Sequence, residues 1–133
     1  MGDLLLDIVE YLDSEDIVEG DAIDTFRDFR PHTPDQVVTL QEYAGPGGFS
    51  YGEGSVRRFQ ITARGSTEDP NWGRAKAWEI YNALLFEEGV VDLRPDHDIW
   101  GILRRLQTPH KLFNDRNDRA IYGFNVSFTT KSD

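Results

Sequence analysis

The chain has 133 residues, enough for a core that needs no staples, and no cysteine, which excludes a disulfide framework and a thiolate metal site alike. Twenty-four acids against fourteen bases give a net charge of −10, the wrong sign for a protein that grips nucleic acid by its phosphates. No apolar run reaches the roughly 20 residues of a membrane helix, and the first residues lack the basic-then-apolar order of a secretory signal, so the expectation is a soluble protein made in the cytoplasm.

The spacing predicts a first helix from Asp3 to Leu12, with Leu5, Ile8, Val9 and Leu12 as its apolar stripe and Asp7, Glu10 and Asp13 on the wet side. The acidic run from Asp13 to Asp21 reads as a solvated loop around Ile17 and Val18. Ile23 to Phe29 reads as a short strand with Phe26 and Ile23 facing inward. In Arg30-Pro31-His32-Thr33-Pro34-Asp35 two prolines impose an extended crossing that cannot be a central strand. Val37 to Tyr43 is the next strand. It leads into Ala44 to Gly54, which carries five glycines and one proline in eleven residues and is far longer than a tight hairpin requires. Phe49 and Tyr51 make that flexible hairpin loop a candidate for partner contact.

The chain is organised around Ser55 to Phe86. Phe59, Ile61 and Ala63 alternate with Arg58, Gln60, Thr62 and Arg64, the period of a half-buried strand. Asp69-Pro70 then marks a helix start, with proline where its missing N–H costs least. Ala77, Ile80, Tyr81 and Leu84 make one helical face, widened by Trp78 and Leu85, and Gly89 is the expected stop. Gly89 to Leu93 reads as a linker or short strand, and Arg94 to Asp98 as a turn. Trp100 to Gln107 reads as a strand with Trp100, Ile102 and Leu106 on one face. Thr108 to Arg119 is expected to be a polar connection. Tyr122, Phe124, Val126 and Phe128 against Gly123, Asn125, Ser127 and Thr129 give the clearest strand of all, hairpinned to the one before it.

The sum is an α+β fold, an antiparallel or mixed sheet of four to five strands with two helices packed against it, forming a single domain over residues 1–133. A doubly wound parallel sheet would need a strand–helix alternation that is missing.

The residues make no positive case for catalysis. His32, His97 and His110 lack a second histidine three or four residues away, and Asp96-His97-Asp98 reads as a solvated turn. Asp115 to Arg119 has a calcium-like acidic spacing but carries Arg119 and Ala120 where an EF-hand needs an oxygen ligand and glycine, so a hairpin turn explains it better. Gly45, Gly47 and Gly48 follow a strand without a helix after them, which removes the phosphate-cradle reading. No cofactor and no metal are expected.

The order of several segments resembles one family. Arg30-Pro31-x-x-Pro34-Asp35-x-Val37-Val38-x-Leu40-x-Glu42-Tyr43-x-Gly45 precedes a strand ending Phe59-Gln60-Ile61-Thr62-Ala63-Arg64-Gly65, then a helix with Ala75-Lys76-Ala77. Thr108-Pro109 and Asn117-Asp118-Arg119 lead into the final aromatic strand. Taken together, from about Ile8 to Thr130, this resembles the tail-terminator or tail-completion (minor capsid) proteins of long-tailed bacteriophages. The resemblance implies a structural virion protein without enzymatic activity at the head–tail joint. It implies a homo-oligomeric ring, typically of six, that caps the tail tube protein, ends tail elongation and docks the head-closure or connector protein. Genome DNA passes through without specific binding, and no membrane is involved. An acidic chain suits a surface that DNA must slide past. Ring contacts are heterologous, so Phe49, Tyr51, Arg57, Arg58 and Arg64 become candidates for one side of a subunit contact. On the residues alone, two alternatives stay open: another neck protein, or a small α+β enzyme or ligand-binding domain whose site is assembled from scattered groups.

Overall fold

The computed structural model describes residues 4–48, 55–84, 90–94 and 99–131. Among them are two helices, α1 (Leu4–Ser14) and α2 (Asn71–Ala83). The strands are β1 (Thr25–Arg27), β2 (Val37–Gly48), β3 (Ser55–Arg64), β4 (Val90–Arg94), β5 (Ile99–Arg105), β6 (His110–Asn114) and β7 (Ala120–Lys131). All seven strands join one mixed sheet in the order β1-β2-β3-β7-β5-β4, with β6 paired to the remaining stretch of β7. The class is the expected α+β.

The strand count exceeds four to five for an identifiable reason. β5 pairs Trp100 to Arg105 with Lys131 to Val126, and β6 then pairs His110 to Asn114 with Gly123 to Ala120. The two are one strand interrupted at Leu106 to Pro109, with the Leu106 N–H still donating to the Asn125 carbonyl at 2.9 Å. The sequence His110-Lys111-Leu112-Phe113-Asn114 has no apolar alternation, so its strand character comes from the β7 edge it lies against. The hairpin between this strand and β7 is closed by Asp115 to Arg119, the polar turn expected there.

The core lies between the helices and one face of the sheet. Phe59, Ile61 and Ala63 of β3 meet Val38 and Leu40 of β2 and Phe124, Val126 and Phe128 of β7, and Leu5, Ile8, Val9 and Leu12 of α1 close over them with Ala77, Ile80 and Leu84. Each large side chain so enclosed is worth about 1.5–3 kcal/mol over an exposed one. The α1 stripe is therefore as read, but Asp7 is buried rather than wet, because α1 is also flanked by β4.

Register decides several other differences. Leu103 stands opposite Phe128, and paired residues share a face, so Leu103 is inward and Leu106 is exposed, the reverse of the expected pattern. In β1 the buried residue is Thr25; Phe26 is half-buried and Ile23 is exposed. β1 runs parallel to β2, so the intervening crossing has to return along the sheet, and it carries a cis Thr33-Pro34 bond. β2 continues through Ala44 to Gly48, which pairs with Ser55, after an irregularity that takes up extra residues between Tyr43 and Gly47. Residues 49–54 of the expected loop lie outside the described ones, as do Leu85, Gly89 and Asp96-His97-Asp98. α2 ends at Ala83 with Leu84 as its C-cap, earlier than Gly89. Trp78 is 38 % exposed, since the buried row is Gly73, Ala77, Ile80 and Leu84 and Trp78 is rotated off it to stack edge-on with Tyr81 at 5.4 Å.

Candidate assembly surfaces

With both helices on one side, the described residues that lie over the other side of the sheet are those of the 28–36 crossing. An arginine clasp fixes that crossing. Arg64, at the end of β3, is 2 % exposed. Its Nε donates to the Asp35 carbonyl at 2.9 Å, and its Nη2 donates to the carbonyls of Pro34 at 2.7 Å and His32 at 3.1 Å. Arg119, at the start of β7, donates from Nη1 to the His32 carbonyl at 2.8 Å and the Asp35 carboxylate at 2.9 Å, and from Nε to Asp115 at 2.8 Å. A proline-bearing segment has few N–H groups to pair and many carbonyls to satisfy, and two planar forks of donors meet that need.

Electrostatics in the clasp follow from burial and charge count. Burial lowers the pKa of Arg64, assisted by the like charges of Arg119 and Arg30 and opposed by Asp115 and Asp35. Burial acts to raise that of Asp115, but the backbone N–H groups of Arg119 and Asn117 and the Arg119 guanidinium outweigh it and hold the carboxyl below its usual range. Three guanidinium groups face two carboxylates, and the cation left over is Arg30. Its Nη2 reaches the Thr62 hydroxyl at 3.4 Å and its guanidinium lies 5.6 Å from the centre of the Phe113 ring. Its buried Nε has no partner. Burial lowers its pKa as well.

Beyond the clasp the face is open. Gln41, Gln60 and Asn125 form a cross-strand row, and the next row is Tyr43, Arg58, Ser127 and Arg104. Gln41, Tyr43, Gln60 and Asn125 line a shallow depression of about 320 Å³. A different part of the surface carries an open groove of about 1210 Å³, whose walls include Asp13, Asp16, Glu19, Asp24, Asp35 and Glu68 around Trp72. Lys76 in that groove is already engaged by the Ile17 carbonyl and Glu79 at 2.7 Å each.

The five residues singled out from sequence fall into three settings. Arg58 is exposed on the open face. Arg57, of opposite parity, forms a two-pronged pair with Glu42 at 2.6 and 2.7 Å. Arg64 is interior and committed to carbonyls, so its place is in the clasp rather than at a surface. Phe49 and Tyr51 are outside the described residues. Arg30, Arg104 and Arg119 were not singled out; the pairing of Pro-rich carbonyls with unpaired arginines was the available signal. Among the described residues no group of three His, Asp or Glu is placed to hold a metal ion, and no helix is long and apolar enough to cross a membrane.

Three comparisons bear on this arrangement. A family model described as "Bacteriophage tail terminator protein" matches residues 9–131. A chain of a solved structure, "Virion of native gene transfer agent (GTA) particle", is similar in fold with a TM-score of 0.57 and 16 % identity, over 89 % of this chain and 91 % of that one. No curated protein sequence matches.

Proposed function

The chain belongs to the bacteriophage tail terminator family and is a structural tail protein of a virion, and from that premise we propose that it forms a ring that closes the head-proximal end of the tail tube. The family match over 9–131 carries this reading, because it takes in every strand, all of α2 and the second half of α1. The proposed ring is a homo-oligomer of about six copies. It ends tube elongation, offers the filled head a docking surface through the head-closure or connector protein, and lets DNA pass without holding it. The chain acts in it as a single unit. Phe49 and Tyr51, which lie between β2 and β3 in sequence, contribute to the contact between subunits together with Arg58 and the Arg57–Glu42 pair.

Two physical features support the reading. A net charge of −10 keeps the bulk of the surface from retaining a polyanion. The arginine clasp directs its donors to the backbone carbonyls of His32, Pro34 and Asp35 and to the carboxylates of Asp35 and Asp115, which is the work of fixing a chain segment. The test is imaging of purified tails and virions, with a count of copies of this chain. A single ring at the head-proximal end of the tube is the expected result. Copies spread along the tube, or absence from the particle, would overturn it.

A further inference from the structure

The sheet face opposite the helices differs in charge from the rest of the molecule. Its described strand residues are Phe26 of β1, Val37, Thr39, Gln41 and Tyr43 of β2, and Arg58, Gln60, Thr62 and Arg64 of β3. β7 adds Ile121, Gly123, Asn125 and Ser127, β5 adds Arg104, and β6 adds His110 and Phe113. None is an acid, in a chain with twenty-four. Arg58 and Arg104 are exposed on either side of Ser127 in one cross-strand row, and Arg30 lies over Thr62 without a carboxylate of its own. Large rings stand among them: Tyr43 is 39 % exposed and Phe113 48 %, and Phe29, stacked on Phe26 at 5.6 Å, is 59 % exposed. Arginine and aromatic side chains around a neutral amide row are what protein interfaces select; lysine and carboxylates are what they avoid.

A sliding polyanion does not fit this surface. Exposed phenylalanines gain nothing from a duplex backbone, and free arginines would retain it. A protein of opposite charge fits both features. The acidic protein at hand is this chain itself, whose open groove gathers Asp13, Asp16, Glu19, Asp24 and Glu68, borders the crossing at Pro34 and Asp35, and has neither Arg58 nor Arg104 in its walls. Resting on the ring reading above, we propose that the helix-free sheet face of each subunit docks on the acidic groove of its neighbour, with Arg58 and Arg104 meeting the neighbour's carboxylates. Two different patches meeting make a heterologous contact, which propagates around a circle instead of ending in a dimer. Arg30 and Phe113 sit toward the clasp end of the same face, where a carboxylate from outside would supply the charge that the clasp lacks. The arginines steer and select the partner, and the rings supply the buried area.

Charge exchange tests this with residues that are exposed and outside the core. The face variant is Arg58→Glu with Arg104→Glu; the groove variant is Asp16→Arg with Glu19→Arg. Circular dichroism and thermal unfolding show that each is folded, and native mass, sedimentation and imaging of tube ends read the rings. Each variant alone should lose at least tenfold in ring population at fixed protein concentration, since like charges meet. Mixed in equal amounts, they should form rings again. In an alternating ring one contact is native and the next has both signs reversed. The wild-type ring should also loosen as salt rises. Rings from the face variant in wild-type yield overturn the proposal. So does a loss that mixing fails to restore. Face-variant rings that form normally but no longer seat on tube ends, or that retain DNA differently, overturn it too and assign the face to the tube or the genome. If the wild-type chain makes no ring in solution or on tubes, the ring reading itself fails, an outcome distinct from all of these.

Discussion

Replacing Gly73 with alanine sets two effects of known size against each other. Gly73 is in the first turn of α2 and is buried where the helix meets the ends of β3 and β7. A methyl there would stand 2.8 Å from the Ala63 carbonyl oxygen, 3.0 Å from the Gly65 nitrogen and 3.4 Å from the Ala120 carbonyl oxygen. Helix propensity favours alanine by up to about 1 kcal/mol. Packing opposes it. All three neighbours are backbone, so α2 has to retreat by roughly half an ångström to restore ordinary contact, loosening Ala77, Ile80 and Leu84 beneath it. Overpacking of this kind costs about 1–3 kcal/mol, which after the full propensity gain leaves Gly73→Ala destabilised by about 0–2 kcal/mol and its Tm lower by up to roughly 8 °C. Urea and thermal unfolding at matched protein concentration measure it. Ala75→Gly, at an exposed position of the same helix, isolates the propensity and should lose about 1 kcal/mol. A Gly73→Ala protein more stable than the wild type would refute the close-packed seat of α2.

Three further outcomes follow from the clasp and the backbone. Arg64→Met strands the carbonyls of Pro34 and Asp35, leaving that of His32 to Arg119, and should cost about 3 kcal/mol in urea unfolding, with Arg64→Lys recovering little because an ammonium cannot reach all of these carbonyls; a loss within about 0.5 kcal/mol would deny the clasp its role. Asp115 has a folded pKa below its ordinary 3.8, so the stability it contributes is fully present above that value and lost as pH falls through the folded pKa. Asp115→Asn should therefore be less stable than wild type at pH 6, with the gap narrowing below pH 3.8; a gap that stays constant down to acid unfolding would contradict this. Ala22 holds φ at +64°, a left-handed conformation that disfavours a side chain, and Ala22→Gly should gain about 0.5–1 kcal/mol in thermal unfolding; a loss of stability would contradict the strain.

The parts of the fold written in local periodicity were legible. The α1 stripe and the alternations of β3 and β7 could be read directly, because a side chain's own neighbours in sequence fix which way it points. What escaped was set by distant partners. Arg58 and Arg64 sit on the same side of the same strand, and nothing near either one distinguishes them. One is exposed and the other interior because the crossing, about thirty residues earlier, lies over Arg64 alone. Leu103 and Leu106 exchange roles through pairing with Phe128, and β6 is a strand by virtue of the edge it borrows. The candidate surface was half legible: Arg58 was visible as an unmatched cation, whereas Arg30, Arg104 and Phe113 join it only once the sheet is assembled.

The position of β7 has a consequence for biosynthesis. It is the last of the strands in chain order, yet it sits mid-sheet with β3 on one side and β5 and β6 on the other. Without residues 120–131, β3 has an open edge, β5 keeps only β4 as a neighbour, β6 has no partner among the described strands, and Phe59 and Ile61 lack Phe124 and Phe128 beside them. The two parts of the sheet therefore join only when β7 is in place, and folding is dominated by contacts between residues far apart in sequence. A chain released before Ala120 is made lacks the strand that links β3 to β5 and β6, and with it Phe124, Val126 and Phe128 of the core, so it should fail to fold whatever its other segments prefer.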